Sequence, residues 1–300
     1  MTLGGTRRLP EPPLTWHDSV ISIDFGGNVS GRSPRRLALA AAGLAALALT
    51  ASACGSGDSG VTVQGAKLIK KGELTTCTHL PYPPFQSIQG GKVVGFDVDL
   101  IDLVAKKLGV TQKVVDTQFE TIKTGSALNA GKCDLAAAGM TIKPDRAKLI
   151  DFTKPYFDAT QALMGKKGQQ FTSLDEVKAK KLKVGSQSST TGEEYAHDNK
   201  IDSVSFKDSQ ALLNGLRTGK VDVIIEDYPV VTGWLKDPAN SAYAVVANFN
   251  TGEKYGFAVR KDKNKGLLDI INQVIDQSQK DGSYKTIYEK WIGPMPKTQS

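Results

Sequence analysis

Between residues 67 and 293, short β-branched runs alternate with stretches of helical period, punctuated by glycine, proline and capping residues. LTTCTHL (Leu74–Leu80) predicts a first strand, closed by PYPPF, which cannot continue a ladder and predicts a loop. In KVVGFDVDLIDLVAKKLG, residues Phe96, Leu100, Leu103 and Val104 share one helical face, and Gly109 marks the stop. Asp97 and Asp99 sit where a helix N-terminus favours negative charge, a purely structural role. A strand at Lys113–Thr117, a helix at Thr121–Asn129 and a short buried strand at Cys133–Ala137 follow. Farther on, the pattern predicts a strand at Ala159–Lys167 and a helix entered through a Ser173/Glu176 capping box. Next come a strand at Lys181–Gln187, a helix from SSTTGEEYA and a helix capped by Asp208 and stopped by Gly219. VDVIIED is a buried strand ending in Glu226-Asp227, and TGEKYGFAVRKD another strand. Two helices, Asn264–Asp281 and Ser283–Trp291, are split by Gly282. Strands and helices in this alternation predict an α/β chain with parallel sheets.

The chain is organised around GKCDLAAAGMTIKPDRAKLIDFTKPYF, residues Gly131–Phe157. A small-residue loop (Ala138, Gly139, Met140, Thr141) follows the buried strand, and Pro144 suits the first turn of a short helix. Small ligands bind at the carboxyl ends of strands in open α/β sheets. Small residues there let backbone N–H groups approach a ligand, and Arg146 offers a planar fork for a carboxylate. The plainer alternative is that Arg146 pairs with Asp145, Asp151 or solvent.

AGMTIKPDR followed by DFTKPYF, together with GFDVDL, resembles the core motifs of the bacterial extracellular solute-binding proteins of family 3. These are amino-acid receptors of ABC importers. The resemblance runs from about Lys67 to Gly293. It implies an α/β, two-lobed, periplasmic-binding-protein-like fold of type II, with parallel-type sheets, two hinge strands and an interlobe cleft. Lobe 1 would comprise residues 67–157 and 252–300, and lobe 2 residues 158–251.

By the same resemblance, Ala138, Gly139, Thr141 and Arg146 fall on the family's carboxylate-binding positions in lobe 1, with Thr190 and Asp227 on the ligand positions in lobe 2. The N–H groups of Gly139 and Thr141 would join Arg146 on the carboxylate, Thr190 and Thr191 would add donors from a helix N-terminus, and Asp227 would take the ammonium. Burying both charges of a free amino acid requires such partners. Tyr82 falls on the aromatic that stacks on the ligand side chain. Phe119 is its opposite plate, although FETIKTGSALNAGKCD is about two residues longer than the usual family spacing. Where receptors for basic or amide ligands often carry an acid, this chain has His79, which argues against a lysine- or arginine-type ligand. His79 and Gln187 could hydrogen-bond a polar or acidic side chain, pointing to glutamine, glutamate or asparagine; alternatively His79 packs against the first loop.

The resemblance implies a binding protein that delivers its amino acid to ABC permease subunits and needs no cofactor. An enzyme resembling cyclohexadienyl dehydratases, which share the fold, is the competing reading, with Glu226 and His79 as the candidate acid or base. No Ser/His/Asp or Cys/His arrangement is evident. A monomer is expected.

Composition alters little: 40% hydrophobic and 7% aromatic residues are ordinary for a chain with a core. The net charge of +7 includes +2 from the first 53 residues, and the lysines beyond mostly alternate with acids, which gives nucleic-acid binding no support. Arg35-Arg36 precede LALAAAGLAALALTASA and then Cys54, the pattern of a secretory signal peptide. The cysteine after ALTASA resembles a bacterial lipobox, so residues 1–53 read as an export region. Residues 54–66 read as a lipidated Gly/Ser tether, and Cys54 as the lipid-bearing residue on the outer face of the cell membrane. Residues 1–28 fit no signal-peptide pattern, which suggests initiation at a non-Met codon such as Val29; the arginine pair fits twin-arginine export imperfectly. Beyond Cys54 only Cys77 and Cys133 remain, without metal-ligand spacing. In an exported chain they are expected to form a disulfide between neighbouring strands, the alternative being two buried thiols.

Overall fold

The structure is a computed structural model, and it describes residues 60–296. The export region, Cys54 and most of the tether lie outside the described residues. Two five-stranded sheets carry the fold. The first is ordered Thr111–Asp116, Glu73–Thr78, Leu135–Ala136, Ala258–Arg260, Ile150–Phe152. The second is ordered Val204–Phe206, Val184–Gln187, Val223–Asp227, Phe157–Lys166, Tyr243–Tyr255.

Neither sheet is wholly parallel, which corrects the simplest reading of the alternation. In each, three strands run parallel and the remaining two join through antiparallel ladders. The cause is the double crossing. Phe157–Lys166 leads out of the first lobe and Tyr243–Tyr255 leads back, so the two pair in opposite senses, from Phe157↔Tyr255 to Lys166↔Tyr243. Between Phe249 and Glu253 the returning strand bulges, re-aiming Glu253.

Most elements follow the sequence pattern. Phe96–Leu108 is a helix that buries Phe96, Leu100 and Val104 and ends at Gly109, whose φ of 71° is left-handed. Asp208 accepts the Ala211 N–H at 2.7 Å and starts Ser209–Arg217. Three details differ. The helix expected at Thr121–Asn129 is two pieces, Phe119–Lys123 and Ser126–Asn129, broken at Gly125. There the backbone turns to φ 72° and lies so close to Ile150 that a Cβ would sit 2.7 Å from its Cγ2. The buried strand shrinks to Leu135–Ala136, with Asp134 and Ala137 still donating to Thr75 and Cys77 carbonyls. Ser173 occupies the N-cap without a side-chain bond; Thr172 instead donates its N–H and hydroxyl to Glu176.

Aromatic side chains knit the hinge ends to the first lobe. Phe85 meets Phe157 edge-on at 5.1 Å, and Tyr156 stacks on Phe257 at 4.0 Å. Each such pair contributes about 0.5–1.5 kcal/mol beyond area burial. Asp99, on the first helix, accepts from Lys290 and from the Trp291 indole, both at 2.7 Å, and so pins the last helix. Cys77 and Cys133 form a disulfide with Cα atoms 5.6 Å apart, packed among Ile122, Leu128 and Met140. It ties the strand leading to Tyr82 to the strand that launches the Arg146 loop.

Candidate functional site

Between the lobes lies a narrow cavity. Its wall includes every ligand residue expected from the sequence: His79, Tyr82, Phe119, Ala138, Gly139, Thr141, Arg146, Gln187, Thr190 and Asp227. Gln86 and Thr191 complete it.

The loop after Leu135–Ala136 supplies the cationic pole. Pro144 starts the helix Pro144–Ala147, which buries Arg146 to 3% exposure. Arg146 Nη1 donates to the Thr141 carbonyl at 3.1 Å, whereas Nε and Nη2 are buried without partners. Its guanidinium carbon lies 5.5 Å from the Phe119 ring centre, so Phe119 does reach the site despite the longer spacing before it. Burial pulls the guanidinium below its ordinary pKa, opposed by Glu194, Asp145, Asp227 and Glu253, and an arginine remains charged. The sequence alternative, pairing with Asp145 or Asp151, does not occur.

Gly139 has a different role from the one expected. Its N–H donates to Asp97 Oδ2 at 2.9 Å and is thereby committed within the lobe. Its φ is 56°, and a Cβ there would meet the Tyr82 ring at 2.8 Å. Only glycine lets Tyr82 lie against this loop. Asp97 also accepts the Tyr156 hydroxyl at 2.7 Å. Burial raises its pKa to about 7 against both of these hydrogen bonds.

The second lobe supplies the anionic pole. Asp227 ends its strand 4% exposed and accepts from Tyr82 at 2.8 Å, and from Tyr255 and Gln161. Glu226, next to it, accepts the Tyr82 hydroxyl at 3.0 Å and the Asp227 N–H at 2.9 Å. Burial raises both carboxyls toward neutrality, with Glu253 adding to Asp227 and Asp227 adding to Glu226. Thr190 caps the helix Thr191–Asp198, accepting the Glu193 N–H at 3.3 Å, and turns that N-terminus toward the cavity.

Sequence reasoning missed Gln161, Glu253 and Gln86. Glu253, re-aimed by the hinge bulge, accepts the Thr141 hydroxyl at 2.7 Å and the Thr191 hydroxyl at 2.9 Å. It also accepts from Gln161 at 2.9 Å. One carboxylate therefore joins the ligand loop of the first lobe, the helix start of the second and a hinge strand. Its only sequence signal was an acid inside a predicted crossing strand. Other bonds close the cleft: Lys143 pairs with Glu194, Ser189 bonds Glu120, and Ser209 donates to the Pro81 carbonyl at 2.6 Å.

The pattern of the bacterial extracellular solute-binding proteins, family 3, matches residues 74–294. The L-cystine-binding protein TcyJ of Escherichia coli (strain K12) is 33% identical over 234 residues, 76% of this chain and 85% of TcyJ. The ABC transporter arginine-binding protein 1 of the same organism is 31% identical over 219 residues, 70% of this chain and 87% of that protein. Among solved structures, an ancestral arginine-binding protein bound to glutamine is 38% identical with a TM-score of 0.69, covering 75% of this chain and 99% of that one. These similar proteins are binding proteins rather than enzymes. A cleft with Arg146 facing Asp227, on this fold and with these relatives, leads to one assignment: the chain belongs to the bacterial extracellular solute-binding proteins, family 3, the exported amino-acid-binding components of ABC importers.

Proposed function

We propose that this chain is an extracytoplasmic receptor for a free amino acid with a polar or acidic side chain, which it delivers to the permease subunits of an ABC importer. The observation that carries this reading is the unpartnered Nε and Nη2 of buried Arg146 in a cavity that also presents Asp227. A carboxylate would satisfy both guanidinium atoms in a bidentate contact, and an α-ammonium would replace the hydroxyl and amide donors now on Asp227. Ala138, Gly139, Thr141 and Thr190 line the carboxylate side, and Tyr82, Phe119, His79 and Gln187 the remainder of the ligand. Residues 67–157 with 252–300 act as one lobe and residues 158–251 as the other, closing on the ligand through the paired hinge strands. Cys54, after signal-peptide removal, anchors the monomer by lipid to the outer face of the membrane.

Binding is favoured over dehydratase-type catalysis because the similar proteins are binding proteins, and because one oxygen of Glu226 and one nitrogen of His79 are engaged within the fold. Glu226 is held by Tyr82 and the Asp227 N–H, and His79 Nδ1 faces a carbonyl, that of Thr117, at 3.1 Å. Calorimetry of the purified protein against the twenty amino acids tests the reading. Arg146→Ala and Arg146→Lys should each abolish most of the affinity while leaving the fold intact, because a buried charge left without its partner costs several kcal/mol, about 2–5. Asp227→Asn should weaken an α-amino acid far more than its des-amino analogue. Near-native affinity in Arg146→Ala would remove Arg146 from the site.

A further inference from the structure

Beyond the groups assigned to carboxylate and ammonium, the cavity wall carries three buried side chains with unpartnered polar atoms. They are His79 Nε2, Gln86 Oε1 and Gln187 Oε1, on residues 8%, 1% and 3% exposed. Their chemistry is alike. The Thr117 carbonyl opposite His79 Nδ1 can only accept, so Nδ1 is the donor, and in that tautomer Nε2 is an acceptor without a partner. The Gln86 amide nitrogen faces the His79 carbonyl at 3.4 Å, which leaves its oxygen as the free end. Gln187 adds a third oxygen without a donor.

A wall of unsatisfied acceptors favours a ligand that brings N–H groups. A carboxylate side chain would set lone pairs against lone pairs. A guanidinium or ammonium brings donors, yet among the described residues Asp227 is the one carboxylate lining the cavity, and the α-ammonium takes it. A second cation would therefore be buried unpaired. An uncharged carboxamide meets both conditions.

We propose that His79, together with Gln86 and Gln187, determines the specificity of this site and selects an α-amino acid with a carboxamide side chain over acidic and cationic ones. This inference rests on the receptor reading above. Calorimetry of the purified protein with L-glutamine, L-asparagine, L-glutamate, L-aspartate, L-arginine and L-leucine tests it. Glutamine or asparagine is expected to bind tightest, with glutamate and arginine weaker by roughly ten- to a hundredfold, the cost of leaving buried polar groups unmatched. Glutamate, arginine or leucine binding as tightly as the better amide would overturn the specificity assignment and leave the receptor reading standing. Binding of none of the twenty amino acids would overturn the receptor reading itself. His79→Asp places a carboxylate in the same wall and should shift the ratio of arginine to glutamine affinity upward by at least about tenfold. An unchanged ratio in a folded variant would count against His79, and should that variant not fold, the native ligand comparison decides.

Discussion

The Tyr82 hydroxyl of the first lobe reaches Asp227 of the second at 2.8 Å and Glu226 at 3.0 Å, so one phenol spans the cleft to two adjacent carboxyls. A phenol carries a single proton, and two ionised carboxylates could not both receive it. Burial raises both Glu226 and Asp227 toward neutrality, in keeping with this geometry.

Tyr82→Phe keeps the ring against Gly139 and removes the bridge. Contact between the lobes should weaken by about 1–2 kcal/mol, the worth of a hydrogen bond to a charged or partly charged group. Small-angle scattering should then show a larger radius of gyration for the ligand-free variant than for the native protein, and equal radii at saturating ligand. Equal radii without ligand would mean the bridge does not hold the lobes together.

Stability of the ligand-free protein should decline as pH rises from about 4 to about 7. Burial raises Asp97 to about 7 and moves Asp227 and Glu226 in the same direction, whereas unfolded carboxyls titrate near about 4. Within that window the folded state holds protons that the unfolded state has lost, so unfolding free energy falls with increasing pH. Melting temperatures recorded across the window should drop, and Asp97→Asn or Asp227→Asn should each flatten the profile. A flat native profile would show that these groups ionise normally.

Asp97→Ala should cost both stability and affinity although Asp97 does not line the cavity. The change strands the buried Gly139 N–H and the Tyr156 hydroxyl, each worth about 1–3 kcal/mol when left unpaired. At about 2–4 °C per kcal/mol for a domain of this size, the melting point should fall by several degrees. Calorimetry should show weaker amino-acid binding because the loop that presents Arg146 loses its anchor. Unaltered affinity would confine Asp97 to a stabilising role.

The bond between Cys77 and Cys133 spans 56 residues of sequence and is expected to contribute about 4 kcal/mol by the chain-entropy relation. Denatured, unreduced protein should show no alkylatable thiol at either position, and Cys77→Ala with Cys133→Ala should lower stability by that order. Two reactive thiols would rule the bond out.

Local chemistry made much of this protein legible from its sequence. Caps, glycine stops and hydrophobic periods lie in adjacent residues, so the Phe96–Leu108 and Ser209–Arg217 helices and the Pro144 turn could be read directly. Arg146, Asp227 and Thr190 were legible because each lies where a strand ends or a helix starts, and ligand sites in such sheets gather there. The Cys77–Cys133 pairing was legible once the two strands were taken as neighbours, for a disulfide tolerates little more than one strand spacing. What only the tertiary structure decided concerns groups that meet across long sequence separations. That the Gly139 N–H belongs to Asp97, 42 residues away, depends on how a helix docks against a loop. That Glu253 holds Thr141 and Thr191 together depends on a bulge in one hinge strand and on the closing of both lobes. Periodicity reports which face of an element is buried, not which partner is found there, and it is the partner that decides whether a buried polar atom is satisfied or left without one, as at His79 Nε2.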